Sequence, residues 1–279
     1  MHVIKDKSLL IDANRLGNIP AQALFYEDEY EAMDFSDLED RYDNVEKYIR
    51  SICSGQLRSM IVNGPPGVGK TYSVDAYLQQ YAKAGNYKVV AGHMSLLTLY
   101  ANLYHLRDIG QILVLDDVDS VYSQVTGLNI LKAAMDTKPV RRISWESTSA
   151  ALAGLGLPNS FEYKGSVILI SNIGFNSAKG KLTEHLDALK DRSFTLQISD
   201  GMRTSLYHQV CFMVINKDLL KDFNLEHQQK VQILEYIFEH LDELHKISLR
   251  LAIKLASLMV NHPQEWRSMA NSGLLSEYC

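Results

Sequence analysis

Cysteine is scarce in this sequence: Cys53, Cys211 and Cys279 lie far apart and form no C-x-x-C pair. That spacing excludes a disulfide framework and the common zinc frameworks, so the three read as ordinary reduced thiols. No stretch approaches the roughly 18 uninterrupted apolar residues of a membrane helix, and no membrane partner is expected. The opening residues, Met1-His2-Val3-Ile4-Lys5-Asp6-Lys7, meet charge before a signal-like run can begin, so a cytoplasmic location is expected. The nine histidines show no H-E-x-x-H or comparable spacing, and no transition metal is assigned. Internal repeats and low-complexity tracts are also missing.

What is present is the balance of a soluble globular protein: 279 residues, 46% hydrophobic and 22% charged. The net charge of −5 conceals an asymmetry. Residues 27–46 hold ten acids and one base, while the rest carries 27 bases against 23 acids. A charge block of that kind reads as a solvated face or lead-in, here residues 1–39, ahead of a core domain. With no basic footprint, tight nonspecific DNA binding by an isolated subunit is not expected, although a ring of subunits can gather a few bases at its axis.

A helix is expected from about Asp43 through Ile52. From Met60 onward short apolar runs alternate with helices, which indicates an α/β domain over 40–200. The runs are Met60-Ile61-Val62, Val89-Val90-Ala91, Ile112-Leu113-Val114-Leu115, Val167-Ile168-Leu169-Ile170 and Phe194 to Ile198. Their continuous character predicts strands of a parallel sheet buried on both faces. A helix starting near Lys70 places Val74, Tyr77, Leu78, Tyr81 and Ala82 on one core face, with Gly85 as its left-handed C-cap. After Asp200 only helices follow, which predicts a helical lid over 201–279. In its third helix Leu249, Ala252, Ile253, Ala256 and Val260 form the expected buried stripe, opposite Arg250, Lys254 and Ser257.

Gly64-Pro65-Pro66-Gly67-Val68-Gly69-Lys70-Thr71 matches G-x-x-x-x-G-K-[ST] between an expected strand and an expected helix, and Tyr72 follows it in the first turn. Glycines let the backbone wrap phosphate oxygens so that successive amides and the helix N-terminus face the anion. Lys70 is expected on the β- and γ-phosphates of ATP, and the Thr71 hydroxyl on Mg2+. The strand Ile112–Leu115 ends in Asp116 and Asp117. Asp116 is expected in the magnesium shell and Asp117 to orient or deprotonate the attacking water, with Asp119 as a helix N-cap.

These residues resemble the AAA+ family of ring-forming P-loop ATPases over most of residues 40–270. The resemblance implies a parallel-sheet P-loop NTPase core with a C-terminal helical lid, and ATP hydrolysis with magnesium at subunit interfaces of a homo-oligomeric ring, most often a hexamer. It implies that Asn172, ending Ile170-Ser171-Asn172, helps position the lytic water. Arg192, in Asp191-Arg192-Ser193, would act as an arginine finger on the neighbouring subunit's nucleotide. Arg250, in Ser248-Leu249-Arg250, would touch nucleotide from the lid of the same chain.

Two departures narrow the function. Asp116-Asp117 replaces the usual Asp-Glu, a form also met in bacterial replication initiators and helicase loaders. Gly92-His93-Met94-Ser95-Leu96-Leu97 lacks the aromatic-apolar-glycine pore loop common in protein unfoldases. The insertion from Lys138 through Pro158 carries Arg141, Arg142 and Trp145. They either touch a nucleic-acid strand by charge and stacking or serve as subunit bridges and core. This stretch, with the compact lid containing Trp266, resembles AAA+ ATPases of bacteriophages. The expected function is remodelling of nucleic acid or of a replication complex. A protein-remodelling ATPase of the chaperone type, and a regulatory nucleotide-binding module with little turnover, are the alternatives.

Overall fold

The structure, a computed structural model, describes residues 34–145, 150–172 and 181–275. The lead-in up to residue 33 and residues 146–149 of the insertion lie outside the described residues. The described residues form two compact units: those of 41–64 with 69–198, and those of 34–40 and 65–68 with the chain from Ser199 onward.

The first unit is built on a five-stranded parallel sheet of order β2-β3-β6-β1-β7. Its strands are β1 (Ser59–Asn63), β2 (Tyr87–Ala91), β3 (Ile112–Asp116), β6 (Ser166–Ser171) and β7 (Phe194–Gln197). The central three are shut off from solvent, as continuous runs such as Met60-Ile61-Val62 and Val167-Ile168-Leu169-Ile170 require. The two edge strands correct the expectation of burial on both faces: Val89 is 39% and Phe194 48% exposed. Edge position explains this, since such a strand has a neighbour on one side alone.

Helices α1 (Ser36–Cys53), α2 (Lys70–Tyr81), α3 (Leu96–His105), α4 (Asp119–Tyr122), α5 (Val125–Ala134) and α7 (Lys181–Asp191) connect these strands. Helix α1 begins seven residues before the expected start. Its buried stripe of Tyr42, Val45, Ile49 and Ile52 carries it through the charged first turns. Helix α2 stops earlier than expected, with Ala82 as the C-cap, and Gly85 serves the following turn at φ +80°. Tyr77 and Tyr81 are half-buried rather than core; the Tyr81 hydroxyl donates to Glu46, and Arg50 lies 5.2 Å from its ring centroid. Asp119 opens α4 rather than preceding it. The insertion forms a two-stranded antiparallel pair, β4 (Arg142–Ser144) with β5 (Ser160–Glu162), around the short α6 (Ala150–Gly154).

The second unit holds α8 (Arg203–Ile215), α9 (His227–Glu239), α10 (Leu249–Asn261) and α11 (Trp266–Leu274). Ser248 caps α10, its hydroxyl accepting from the Leu251 amide at 3.3 Å. The buried face of α10 is Leu249, Leu251, Ala252, Leu255, Ala256 and Met259. Ile253 and Val260 are exposed, which corrects the expected stripe: apolar residues cover more than half the circumference of α10, opposite Arg250 and Lys254, so its period leaves open which part of that arc turns inward. Among the described residues no helix is long and apolar enough to cross a membrane.

Candidate nucleotide site

Parallel strands carry their ligand-facing residues at their C-terminal ends, and there the chemistry of the first unit is concentrated. β1 ends at Asn63, whose side chain accepts from the Gly64 amide at 2.9 Å. The chain then turns through Gly69, left-handed at φ 87°, directly into α2. This conformation suits glycine, and it leaves the first amides of α2 without a side-chain cap, as a phosphate cradle needs.

Lys70, in the first turn of α2, is buried at 5% exposure. Its Nζ donates to the Gly64 carbonyl at 2.8 Å and to Asn172 Oδ1 at 2.6 Å. β1 and β6 are paired as far as Asn63 and Ser171, so Asn172 emerges beside the loop. A lysine is rarely buried unless its charge is answered, and these two acceptors are part of what holds the ammonium at the loop.

The neighbouring strand β3 delivers the carboxylates. Asp116 Oδ2 accepts from the Thr71 hydroxyl at 2.8 Å, so the two groups assigned to magnesium share one point of the structure. Asp117 has φ +50°, a left-handed backbone that Asp and Asn tolerate better than longer side chains. Its amide donates to the Ile170 carbonyl at 3.0 Å. Its carboxylate accepts from the Asn172 amide at 3.0 Å and from the Asn172 side-chain nitrogen. Asn172 therefore bridges Lys70 and Asp117. An oxygen pair at Thr71 and Asp116, a buried ammonium and a run of uncapped amides fit a magnesium-bound triphosphate. Tyr72 is 47% exposed beside them.

The apex of the loop, residues 65–68, is held within the helical unit. The Leu249 amide donates to the Gly67 carbonyl at 2.8 Å, and Gln209 Nε2 to the Val68 carbonyl at 3.1 Å. A Cβ on Gly67, at φ +87°, would stand 2.6 Å from Ser248 Cβ, so this position has no room for a side chain. Gln209 and Ser248 were not assigned a role from the sequence; neither belongs to a phosphate motif, and their pairing with the loop spans well over a hundred residues. Arg250 is exposed and lines a cavity of about 540 Å³ together with Pro66, His245, Lys246, Ser248 and Lys254. Lys254, one helical turn beyond Arg250, carried a signal of helical spacing that reaches the same cavity.

Arg192 stands apart from these groups. It precedes β7, whose Phe194 lies opposite Met60 near the start of β1, and its carbonyl accepts from Ser59 Oγ at 3.0 Å. It is thus at the N-terminal end of the sheet, separated from the loop by most of a strand, about 13 Å at ~3.3 Å per residue. Its guanidinium donates back to the Ala188 carbonyl at 2.7 Å.

The insertion residues divide. Arg141 is a core residue, 5% exposed, donating to the carbonyls of Ala134 at 2.6 Å and Gly165 at 2.9 Å, with the Tyr163 ring centroid 5.1 Å away. Burial lowers its pKa to about 10, the Tyr163 phenol acting in the opposite direction. Burial takes Arg141 out of both readings offered for it, nucleic-acid contact and subunit bridge, since its guanidinium ties the insertion to α5 and the turn before β6 inside the core. Trp145 is half-buried and meets Tyr100 edge to face at 5.6 Å, which is packing rather than a free stacking platform. Arg142 is exposed.

No established family profile matches the sequence. The chain is similar to the replication initiator DnaA bound to AMPPCP and single-stranded DNA, at 15% identity and a TM-score of 0.46 over 91% of this chain and 66% of that one. It is also similar to domain III of DnaA from Thermotoga maritima, at 14% identity and a TM-score of 0.49 over 84% of this chain and 91% of that one. The chain spans slightly less than two thirds of the longer DnaA chain. A curated relative, the uncharacterized 36.7 kDa protein of the nrdC–mobD intergenic region of Enterobacteria phage T4, is 32% identical over 231 residues, covering 81% of this chain and 70% of that protein. The chain belongs to one family with this phage T4 protein.

Proposed function

We propose that this chain is a magnesium-dependent ATPase that works as an assembly of copies and remodels nucleic acid or a replication complex. The observation that carries the reading is the convergence of Lys70, Thr71, Asp116, Asp117 and Asn172 at one end of the sheet. The loop amides and Lys70 bind the β- and γ-phosphates of ATP, and Thr71 with Asp116 holds Mg2+. Bound magnesium neutralises charge on the phosphate oxygens. Asp117 accepts a proton from the attacking water, and Asn172 orients that water once phosphate has drawn Lys70 away. Arg250 adds charge from the cavity it shares with Pro66.

Arg192 is too far along the strands to serve its own chain's loop, which supports a role on a neighbouring copy's nucleotide, in a ring that the resemblance to the AAA+ family makes a hexamer. Arg142, rather than Arg141 or Trp145, is the insertion residue that remains available to nucleic acid.

ATP turnover by the purified chain, measured alone and with single-stranded DNA, duplex DNA or a denatured protein, tests the reading. Stimulation by DNA is the expected result. Stimulation by the denatured protein alone assigns the chaperone-type role, and tight ATP binding without turnover assigns a regulatory module.

A further inference from the structure

The N-terminal end of the sheet, away from the nucleotide site, carries an unusual concentration of one charge. A cavity of about 560 Å³ is lined by Lys47, Arg50, Ser51, Gln56 and Tyr81 among others, and a second of about 200 Å³ by Gln56, Arg58 and Arg192 among others. Gln56 lines both, so the two cavities adjoin and together make up a groove. No carboxylate lines either part. Lys47 and Arg50 are exposed on the last turns of α1, while Arg58 and Arg192 donate to backbone carbonyls rather than to acids. Among the described residues none of these four cations has an ion-pair partner.

The same helix begins with the opposite charge. Asp37, Glu39, Asp40 and Asp43 are all exposed along its first turns. They belong to the block that gives residues 27–46 ten of the chain's 33 acids. A surface with an acidic patch at one place and a basic groove at another is complementary to a second copy of itself in a head-to-tail sense, and such contacts close into rings when the rotation permits.

We propose that the groove of Lys47, Arg50, Arg58 and Arg192 docks the acidic first turns of α1 from a second copy of this chain. The inference rests on the proposed assembly and adds which surfaces meet. Four cations are a small footprint for nucleic acid on a chain of net charge −5, whereas they match the four exposed acids of α1. The groove includes Arg192, so docking brings the neighbouring chain to an arginine that lies too far along the strands to serve its own chain's loop.

Sedimentation of the full chain with magnesium and a non-hydrolysable ATP analogue provides the test. K47E/R50E and, separately, D37K/D40K are expected to raise the concentration needed for assembly about tenfold or more. An equimolar mixture of the two is expected to recover assembly, because each reversed groove then meets a reversed patch. ATP-analogue binding by each variant, read by fluorescence, should stay as in the parent, which separates a docking defect from a lost nucleotide site. Unchanged assembly of either variant, or no recovery on mixing, overturns the proposal while leaving the ATPase reading intact. Loss of oligo-dT binding in K47E/R50E with assembly intact also overturns it, and assigns the groove to nucleic acid. A parent chain that stays monomeric under these conditions removes both the assembly and the docking.

Discussion

The two ends of the parallel sheet treat charge in opposite ways. At the C-terminal end each charged side chain is answered: Lys70 by Asn172 and Gly64, Asp116 by Thr71, Asp117 by Asn172. At the N-terminal end Lys47 and Arg50 face solvent, and Arg58 and Arg192 are held by carbonyls that leave their charge uncancelled. A preorganised end holds its groups in place before a small anion arrives, which is what binding and chemistry on phosphate need. An unbalanced end is suited to attracting something large and oppositely charged. On the two proposals made above, the sheet would separate a site for chemistry from a site for contact by roughly the length of a strand.

Substitutions can break this contrast at either end. The largest effect on ATP binding is expected for Lys70→Ala, which removes the cation from the answered end: affinity should weaken by about 100-fold or more while far-ultraviolet circular dichroism stays unchanged. Equal affinity in a folded variant would refute the site. Arg192→Ala belongs to the other end and should keep ATP affinity while turnover falls about 1,000-fold. Mixing it with Lys70→Ala should restore part of the activity, since an intact loop then faces an intact arginine. Asp117→Asn should lower turnover about 100-fold, with binding retained, because the amide keeps the shape but takes no proton.

Smaller effects sharpen the comparison within adjacent residues. Arg141→Ala should destabilise the chain by about 3 kcal/mol in urea unfolding, since two buried carbonyls lose a charged donor. Arg142→Ala should stay within about 0.5 kcal/mol, as befits an exposed residue. In the helical unit the Cys211 thiol is buried and pushed up to about 12 by that burial. Alkylation near neutral pH should therefore reach Cys53 well before Cys211, a difference that mass spectrometry reads directly.

Much of this was legible from residue order alone, for reasons that differ from element to element. The phosphate loop and the Asp116-Asp117 strand end are local in sequence, so their spacing carried their geometry. The three central strands announced themselves by unbroken apolar runs. The edge strands gave runs of similar kind, because position within a sheet is a property of pairing and leaves no mark on a strand of five residues. Arg141 was misread for a related cause: its partners, Ala134 and Gly165, are backbone carbonyls seven and 24 residues away, and a carbonyl has no sequence signature. Helix α10 offered apolar residues on most of its circumference, so Leu251, Leu255 and Met259 won the interior from Ile253 and Val260 through tertiary packing.

The left-handed backbone at Asp117 also bears on heredity. Aspartate and asparagine are the two acyclic polar residues that this conformation accepts with least strain, and their codons differ by a single G-to-A transition. An allele with asparagine here would fold and still engage ATP, and in a mixed assembly it would stall its neighbours rather than merely drop out. In the assembly proposed above such a mutation would behave as dominant, and one short side chain on a left-handed turn would make the activity of that assembly sensitive to a minority of altered copies.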